Sequence, residues 1–441
     1  MILSLLNLFF SLVPALALVL ALLLVAVRHQ RLFLALFMIL TALESTRDFA
    51  PSLGVTFSGI SVYPDDLVIV VGSVAALARI GQWRLRAATR IAALISVLLV
   101  GLGVIAWISS YGMQFGTNSW RPQMLILALL LYTTTRPRDW SWRDLQIIFV
   151  SSAIVVGLAS LVGILLFGFG SSASNVVVNG VIETGRPVHA SGSLMILIGL
   201  WVTILSVGKW SARRLLLALF LASMVLITQN RSVWVATIAG VIIWWLVPRI
   251  HFRGASSGAG GFSRTLVVVP VAVGTALVGL SVAALGQSAS NDQTWLWRMA
   301  RWAASMSIPR SWLEWLAGSA FGPTPASTPT LFATSAHSLY VNTIETTGFV
   351  GLVATLILVI AIGRAHVPPS IEPLGLIVCF TFLSYGTAYQ LPEWAWAAAG
   401  VLLASTRIKQ PLVTLATRDR KTWRLTGPAS PRELQDDQTR A

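Results

Sequence analysis

The sequence predicts an all-α membrane protein, a polytopic bundle of about 12–13 transmembrane helices, and three observations lead there. Of 441 residues, 56% are apolar by the wide count and only 11% are charged, against about 25% charged in a soluble domain. Mean hydropathy is +0.78. Apolar runs near the roughly 20 residues that cross a bilayer recur along the chain, with too little between them for soluble domains. These features exclude a soluble enzyme, a disordered chain and a secreted disulfide scaffold. The single cysteine, Cys379, cannot close an internal disulfide, and in its apolar run it reads as a small buried hydrophobe.

The predicted spans are 2–27, 32–47, 60–78, 91–109, 121–135, 145–169, 190–207, 213–229, 232–248, 265–286, 346–363, 372–390 and 393–406. The first is too long for a signal-peptide core and has no positive residue before it, so it is read as a retained helix. The chain thus divides into ten spans within 1–286, an outward loop at 287–345, three spans within 346–406, and a polar tail at 407–441. The tail is charged and holds Pro428 and Pro431, a composition expected to be disordered, and 254–264 (GASSGAGGFSR) reads as a flexible linker.

Charge between the spans sets the orientation. Of the 31 Lys and Arg residues, 24 fall in alternate loops and the tail, and the remaining seven are Arg47, Arg121, Arg186, Arg231, Arg298, Arg301 and Arg310. The richer set is cytoplasmic, which places the N-terminus outside and the C-terminus inside. The formal charge of +15 is then a topology signal and a contact with anionic lipid headgroups, not a nucleic-acid footprint. Ionisable residues inside the spans are nearly absent, which speaks against a transporter.

The outward loop is not a plain linker. WLWRMARWAASM (295–306) has helical spacing, with Trp295, Arg298 and Trp302 on one face, and Trp312 and Trp315 share a face just beyond. Two short amphipathic helices at the membrane surface are expected, where tryptophan prefers to sit. A turn-rich stretch follows, and AHSLYVNTIETTGFVG is expected to run into span eleven as a continuous helix. His337, Tyr340, Val341, Ile344 and Gly348 would line one face of it, with Glu345 nearby.

Candidate site residues gather on the outer side. Arg231 lies in a tight hairpin between spans eight and nine, either snorkelling to headgroups or holding an anion. Arg298 and Arg301 either bind a phosphate pair or hold an interfacial helix to lipid. His337 is either a general base or a histidine satisfied by a carbonyl. Arg186 and His189 precede span seven beside glycines. Asp65 and Asp66 read as N-terminal caps of span three, and Glu44 and Asp48 flank Arg47 as an ion pair or a catalytic acid. No P-loop, HExxH or CxxC occurs, and the five histidines are scattered, so no metal and no cofactor are expected.

These pieces, in this order, resemble the bacterial O-antigen ligase and polymerase superfamily. The resemblance rests on T-Q-N-R-S-V-W (228–234), on R-M-A-R-W (298–302) followed by L-A-G-S-A-F-G (316–322), and on H-S-L-Y-V-N-T-I-E-T-T-G-F-V-G (337–351). A fainter match is G-R-P-V-H-A-S-G (185–192). The chain departs from the pattern at Ser338, at Asn230, and in the three-residue spacing of Glu345 from Gly348, so the histidine role carries over more directly than the glutamate role.

The resemblance implies a GT-C-like bundle in the bacterial inner membrane with an outward-facing site. It implies a metal-independent inverting glycosyltransferase for cell-envelope polysaccharide. The donor would be a glycan on a polyprenyl diphosphate, and the acceptor a hydroxyl of a glycan, glycolipid or protein. His337, Arg231 and Arg298 would be catalytic. Arg301, Arg186, Tyr340, His189, Glu345 and Trp302 would bind or support substrate. A polymerase joining lipid-linked repeat units shares the same leaving group, and a lipid or glycolipid transporter is the further alternative.

Overall fold

The computed structural model describes residues 20–44, 55–57, 60–62, 64–82, 93–99, 117–135, 141–167, 175–178, 181–184, 188–205, 211–251, 293–307, 309–318, 338–363 and 373–404, with a few single positions besides. The span at 265–286, the linker at 254–264 and the tail at 407–441 lie outside the described residues, as do Arg186, His337 and Asp48.

The helices are α1 (Leu20–Arg28), α2 (Gln30–Glu44), α3 (Pro64–Leu77), α4 (Thr117–Thr134), α5 (Trp142–Phe167), α6 (Ala190–Ile204), α7 (Ala212–Ile227), α8 (Arg231–His251), α9 (Gln293–Ser307), α10 (Trp312–Ala317), α11 (Leu339–Gly363), α12 (Pro373–Gly386) and α13 (Glu393–Ala404). Each falls on an expected span or on the expected surface helices. Two antiparallel hairpins, which the sequence pattern did not suggest, qualify the all-α expectation. β1 (Val55–Phe57) pairs with β2 (Ile60–Val62), and β3 (Asn175–Val178) pairs with β4 (Val181–Thr184).

Among the described residues, two helices are long and apolar enough to cross a membrane, Trp142–Leu166 within α5 and Leu339–Gly363. A third span exists if Leu20–Arg28 and Gln30–Thr41, bent by 119° at their junction, are taken as one. The other apolar helices are shorter than the expected spans. Many hydroxyl side chains inside the helices are satisfied locally, which suits an apolar surrounding. Thr133, Thr134, Ser152, Ser160, Thr203 and Thr237 each donate a hydroxyl to a carbonyl one turn back.

α6 is buried over nearly its whole length, and it packs between α5 and α7. Close approach needs small residues at the crossing: a Cβ on Gly199 would collide with Ala153, and one on Gly240 of α8 would collide with the Trp201 ring. Trp201 meets Trp244 edge to face at 6.3 Å. α12 packs against α8 and α11, and α4 packs against α3 and α13.

Helix ends are tied by side chains. Ser141 and Asp144 form a reciprocal capping box at the start of α5, and Asp144, buried, also accepts from Arg31 at 2.8 Å. Arg214 donates to the carbonyls of Thr203 and Ile204, closing the C-terminal end of α6.

Candidate functional site

The motif at 228–234 resolves into a helix-to-helix turn. Thr228 donates its hydroxyl to the Val225 carbonyl, and the Trp234 indole N–H donates to the same carbonyl at 3.1 Å. Gln229 has φ 52, the left-handed region. Asn230, buried, accepts from the Val233 N–H and caps α8. Most of the motif is therefore spent on the turn. Its product is an exposed Arg231 at the first position of α8. His189 likewise stands at the N-cap of α6, exposed, with its carbonyl accepting from both the N–H and the hydroxyl of Ser193.

α9 and α10 fall where two short helices were expected, and directional contacts connect them to α11. Arg301 is buried, with 3% of its side chain exposed, and its guanidinium forks onto Glu345 at 2.9 and 3.3 Å. Ser305, one turn further along α9, donates its hydroxyl to the same carboxylate. Both ionic partners were expected to face substrate, and the structure turns them toward each other. A buried carboxylate needs a counter-charge and donors, and α9 supplies both. The pair clasps α9 to α11.

α11 is not the continuous helix expected. Gly348 has φ 66 and ψ −169 and breaks it, so the face running from Tyr340 through Glu345 is separated from the long apolar segment that follows. The break has a partner. Gly318, which ends α10 with φ 84, lies against the backbone of Thr346 and Thr347, while Gly348 lies against the backbone of Leu316 and Gly318. Two glycines are required here because both backbones take left-handed values and meet with no space for a Cβ. α10 itself begins with a Ser311–Glu314 capping box. The Ser311 backbone N–H, donating to the Glu314 carboxylate, holds that carboxyl below the usual glutamate range.

Beyond the clasp, the Arg298 guanidinium lies over the Tyr389 ring, 4.8 Å from its centre, a favourable cation–π position. Its Nε is buried without a hydrogen-bond partner among the described residues. Tyr389 stacks on Tyr385 at 5.2 Å, and its carbonyl accepts from the Leu339 N–H. Tyr340 donates its hydroxyl to the Leu383 carbonyl at 2.7 Å, and Ser338 donates to that of Gly386. The start of α11, two residues after His337, is thereby pinned to the end of α12. Trp302 is half-buried on α9.

The structure thus joins Arg301 to Glu345, and brings Arg298 and Tyr340 to the two sides of the α11–α12 junction. α8, opened by Arg231, packs along α12, which ends just before Tyr389. Sequence reasoning missed Ser305 and Tyr389. Ser305 carried a signal, lying four residues after Arg301 on the same helix face; Tyr389 carried none.

Two openings border this region. One is an apolar groove lined by Ile91, Leu316, Phe349, Val350, Val353 and Ile357, below the crossing of the two glycines. The other is a narrow cleft of mixed polar and apolar lining between α4, α11 and α13. No protein-family model matches the chain, and no curated protein matches it significantly.

Proposed function

We propose that the chain is a membrane glycosyltransferase that moves a glycan from a polyprenyl diphosphate to an acceptor hydroxyl, acting at the outer face of a bacterial inner membrane. The observation that carries this reading is the placement of Arg298. A docked surface helix holds its guanidinium against Tyr389, beside the start of α11, in a region that also has an apolar groove. A polyprenyl diphosphate has matching parts: a compact anion and a long apolar tail. The groove suits the tail, and the arginine fork suits the diphosphate.

In the reaction, the acceptor oxygen attacks the anomeric carbon, and the bond from that carbon to the diphosphate oxygen breaks. The diphosphate leaves with the electron pair, so negative charge grows on it in the transition state. Arg298 and Arg231, aimed at that charge, supply electrostatic stabilisation. His337 takes the acceptor proton, a contribution of roughly 10²–10⁴ in rate. Arg301 is neutralised by Glu345, so its role is to position α9. Tyr340 fixes the start of α11 to α12.

The test is consumption of a polyprenyl-diphosphate oligosaccharide pool by purified protein in detergent, with acceptor and without added metal. Wild type should consume donor, and His337→Ala should not. Arg298→Lys should lose about tenfold or more, because a point charge does not replace the fork. The mass of the product separates ligase from polymerase. A fully active His337→Ala protein overturns the assignment of the base, and a wild type that neither consumes nor binds the donor overturns the reading.

A further inference from the structure

Two arginines stand three residues apart on α9, neighbours on its surface, and the fold treats them differently. Arg301 meets a carboxylate, that of Glu345, and is neutralised. Arg298 meets an aromatic ring, its guanidinium 4.8 Å from the centre of Tyr389. A ring attracts a cation through its electron-rich face, yet it carries no net charge. Arg298 is thereby held in place with its charge not cancelled.

This contact also leaves the donors unspent. A guanidinium carries its five N–H donors in its own plane, so a ring over its face occupies none of them. Among the described residues no hydrogen bond or ion pair falls on Arg298. Its Nε is buried, which leaves the two terminal nitrogens to meet an anion. An ion pair, by contrast, takes up the fork, as Glu345 takes that of Arg301 through both terminal nitrogens. Aromatic seating suits a cation that must stay available, and carboxylate seating suits one that ties helices together.

The seat itself is fixed. Tyr389 lies in the short connection between α12 and α13. Its N–H donates to the Tyr385 carbonyl, and its carbonyl accepts from the Leu339 N–H. Its ring stacks on that of Tyr385, which is buried. α11 and α12 together therefore fix both the backbone and the ring. We infer that Tyr389 is a positioning residue: it holds Arg298 by the face of the guanidinium, so that the terminal nitrogens stay charged and free for the diphosphate of the lipid-linked donor. The inference rests on the proposed function and adds the group through which Arg298 is aimed.

The experiment compares binding of two lipids to purified protein by native mass spectrometry: a polyprenyl diphosphate, and the uncharged polyprenol of the same length. Wild type should prefer the diphosphate. Tyr389→Phe keeps the ring and should bind the diphosphate within about twofold of wild type. Tyr389→Leu removes the ring and should weaken the diphosphate about tenfold, while binding of the polyprenol stays unchanged. A Leu variant that binds the diphosphate like wild type, a loss that falls equally on both lipids, or a Phe variant as impaired as the Leu variant overturns the positioning role while leaving the lipid-diphosphate reading in place.

A second arm needs no lipid. An arginine-selective dicarbonyl modifies accessible guanidinium groups, and peptide mass spectrometry reads its rate at Arg298 alone. Tyr389→Leu should speed that reaction severalfold, and Tyr389→Phe should not. Inorganic diphosphate at millimolar concentration should slow it in wild type. Faster modification of the Leu variant upholds the seat even if wild type binds neither lipid nor diphosphate, an outcome that would sink the donor reading alone. Equal rates in all three proteins together with no binding overturn both.

Discussion

The α5–α6 crossing and the α9–α10–α11 assembly hold together by different means. At the first, an apolar interior is filled from several helices, and α6 buries nearly its whole length. Many small contributions are summed there, so no single contact decides the outcome. At the second, α10 has no buried residue, and attachment depends on one ion pair, one hydroxyl, two glycines, the stacking of Trp315 on Phe349 and the seat of Arg298 on Tyr389. The bundle is robust because its contacts are numerous and undirected. The α9–α10–α11 assembly places charged groups accurately because its contacts are few and directional, and it is correspondingly easy to break.

The sharpest way to break the comparison is at the glycine crossing. Gly348→Ala forces a Cβ into the Leu316 and Gly318 backbone at a left-handed φ. The expected loss is about 2–5 kcal/mol, from the conformation and the overlap together. Gly163→Ala in α5, where a Cβ meets no heavy atom within 4 Å, should change stability by less than about 0.5 kcal/mol. Thermal unfolding in detergent distinguishes them, and equal melting of the two variants would dissolve the contrast.

Next comes the clasp. Glu345→Gln or Arg301→Ala removes one member of a buried pair, which typically costs 3–5 kcal/mol, roughly what an orphaned charge demands. The double replacement Arg301→Met with Glu345→Leu should recover most of that stability, because no charge is left unpaired. If the clasp only positions α9, this double variant should bind donor with altered turnover. Restored folding with full wild-type turnover would show that the placement of α9 does not depend on it.

A smaller effect is expected for Tyr340→Phe, which removes the hydroxyl donated to Leu383 at about 1 kcal/mol. Proteolysis around residue 338 should accelerate in proportion. The smallest effect belongs to Glu314. Its carboxyl is held low by Ser311, so its stabilisation of α10 is fully present above the ordinary glutamate range. That contribution fades as pH falls through the lowered value. Glu314→Gln should remove this acid sensitivity, and an unchanged acid branch in a pH–stability profile would assign it to other carboxylates.

The α9–α10–α11 assembly was legible in pieces. Its two surface helices follow from the spacing of tryptophan and arginine in 295–315, which any segment at an apolar–aqueous boundary must show. The arginine motif at 228–234 was visible as a motif, yet most of its residues prove to serve the turn. Glu345 stood out as a carboxylate near a candidate face, but nothing local tells whether such a carboxylate meets a ligand or an arginine 44 residues earlier. Tyr389 left no mark, because its surroundings come from α9, α11 and α12 together.

Hydropathy and charge, read along the chain, determined that this is a predominantly helical protein with membrane-spanning candidates, where its helices fall, and that short helices lie between the late spans. Those properties depend on each segment's contact with its solvent, which local composition dictates. Only the tertiary structure decided that α11 breaks at Gly348, that Arg301 is neutralised by Glu345, and that Arg298 comes to rest on Tyr389. Each of these depends on which helices meet and at what distance, and backbone approach and counter-charge are set by the partner surface rather than by the segment itself.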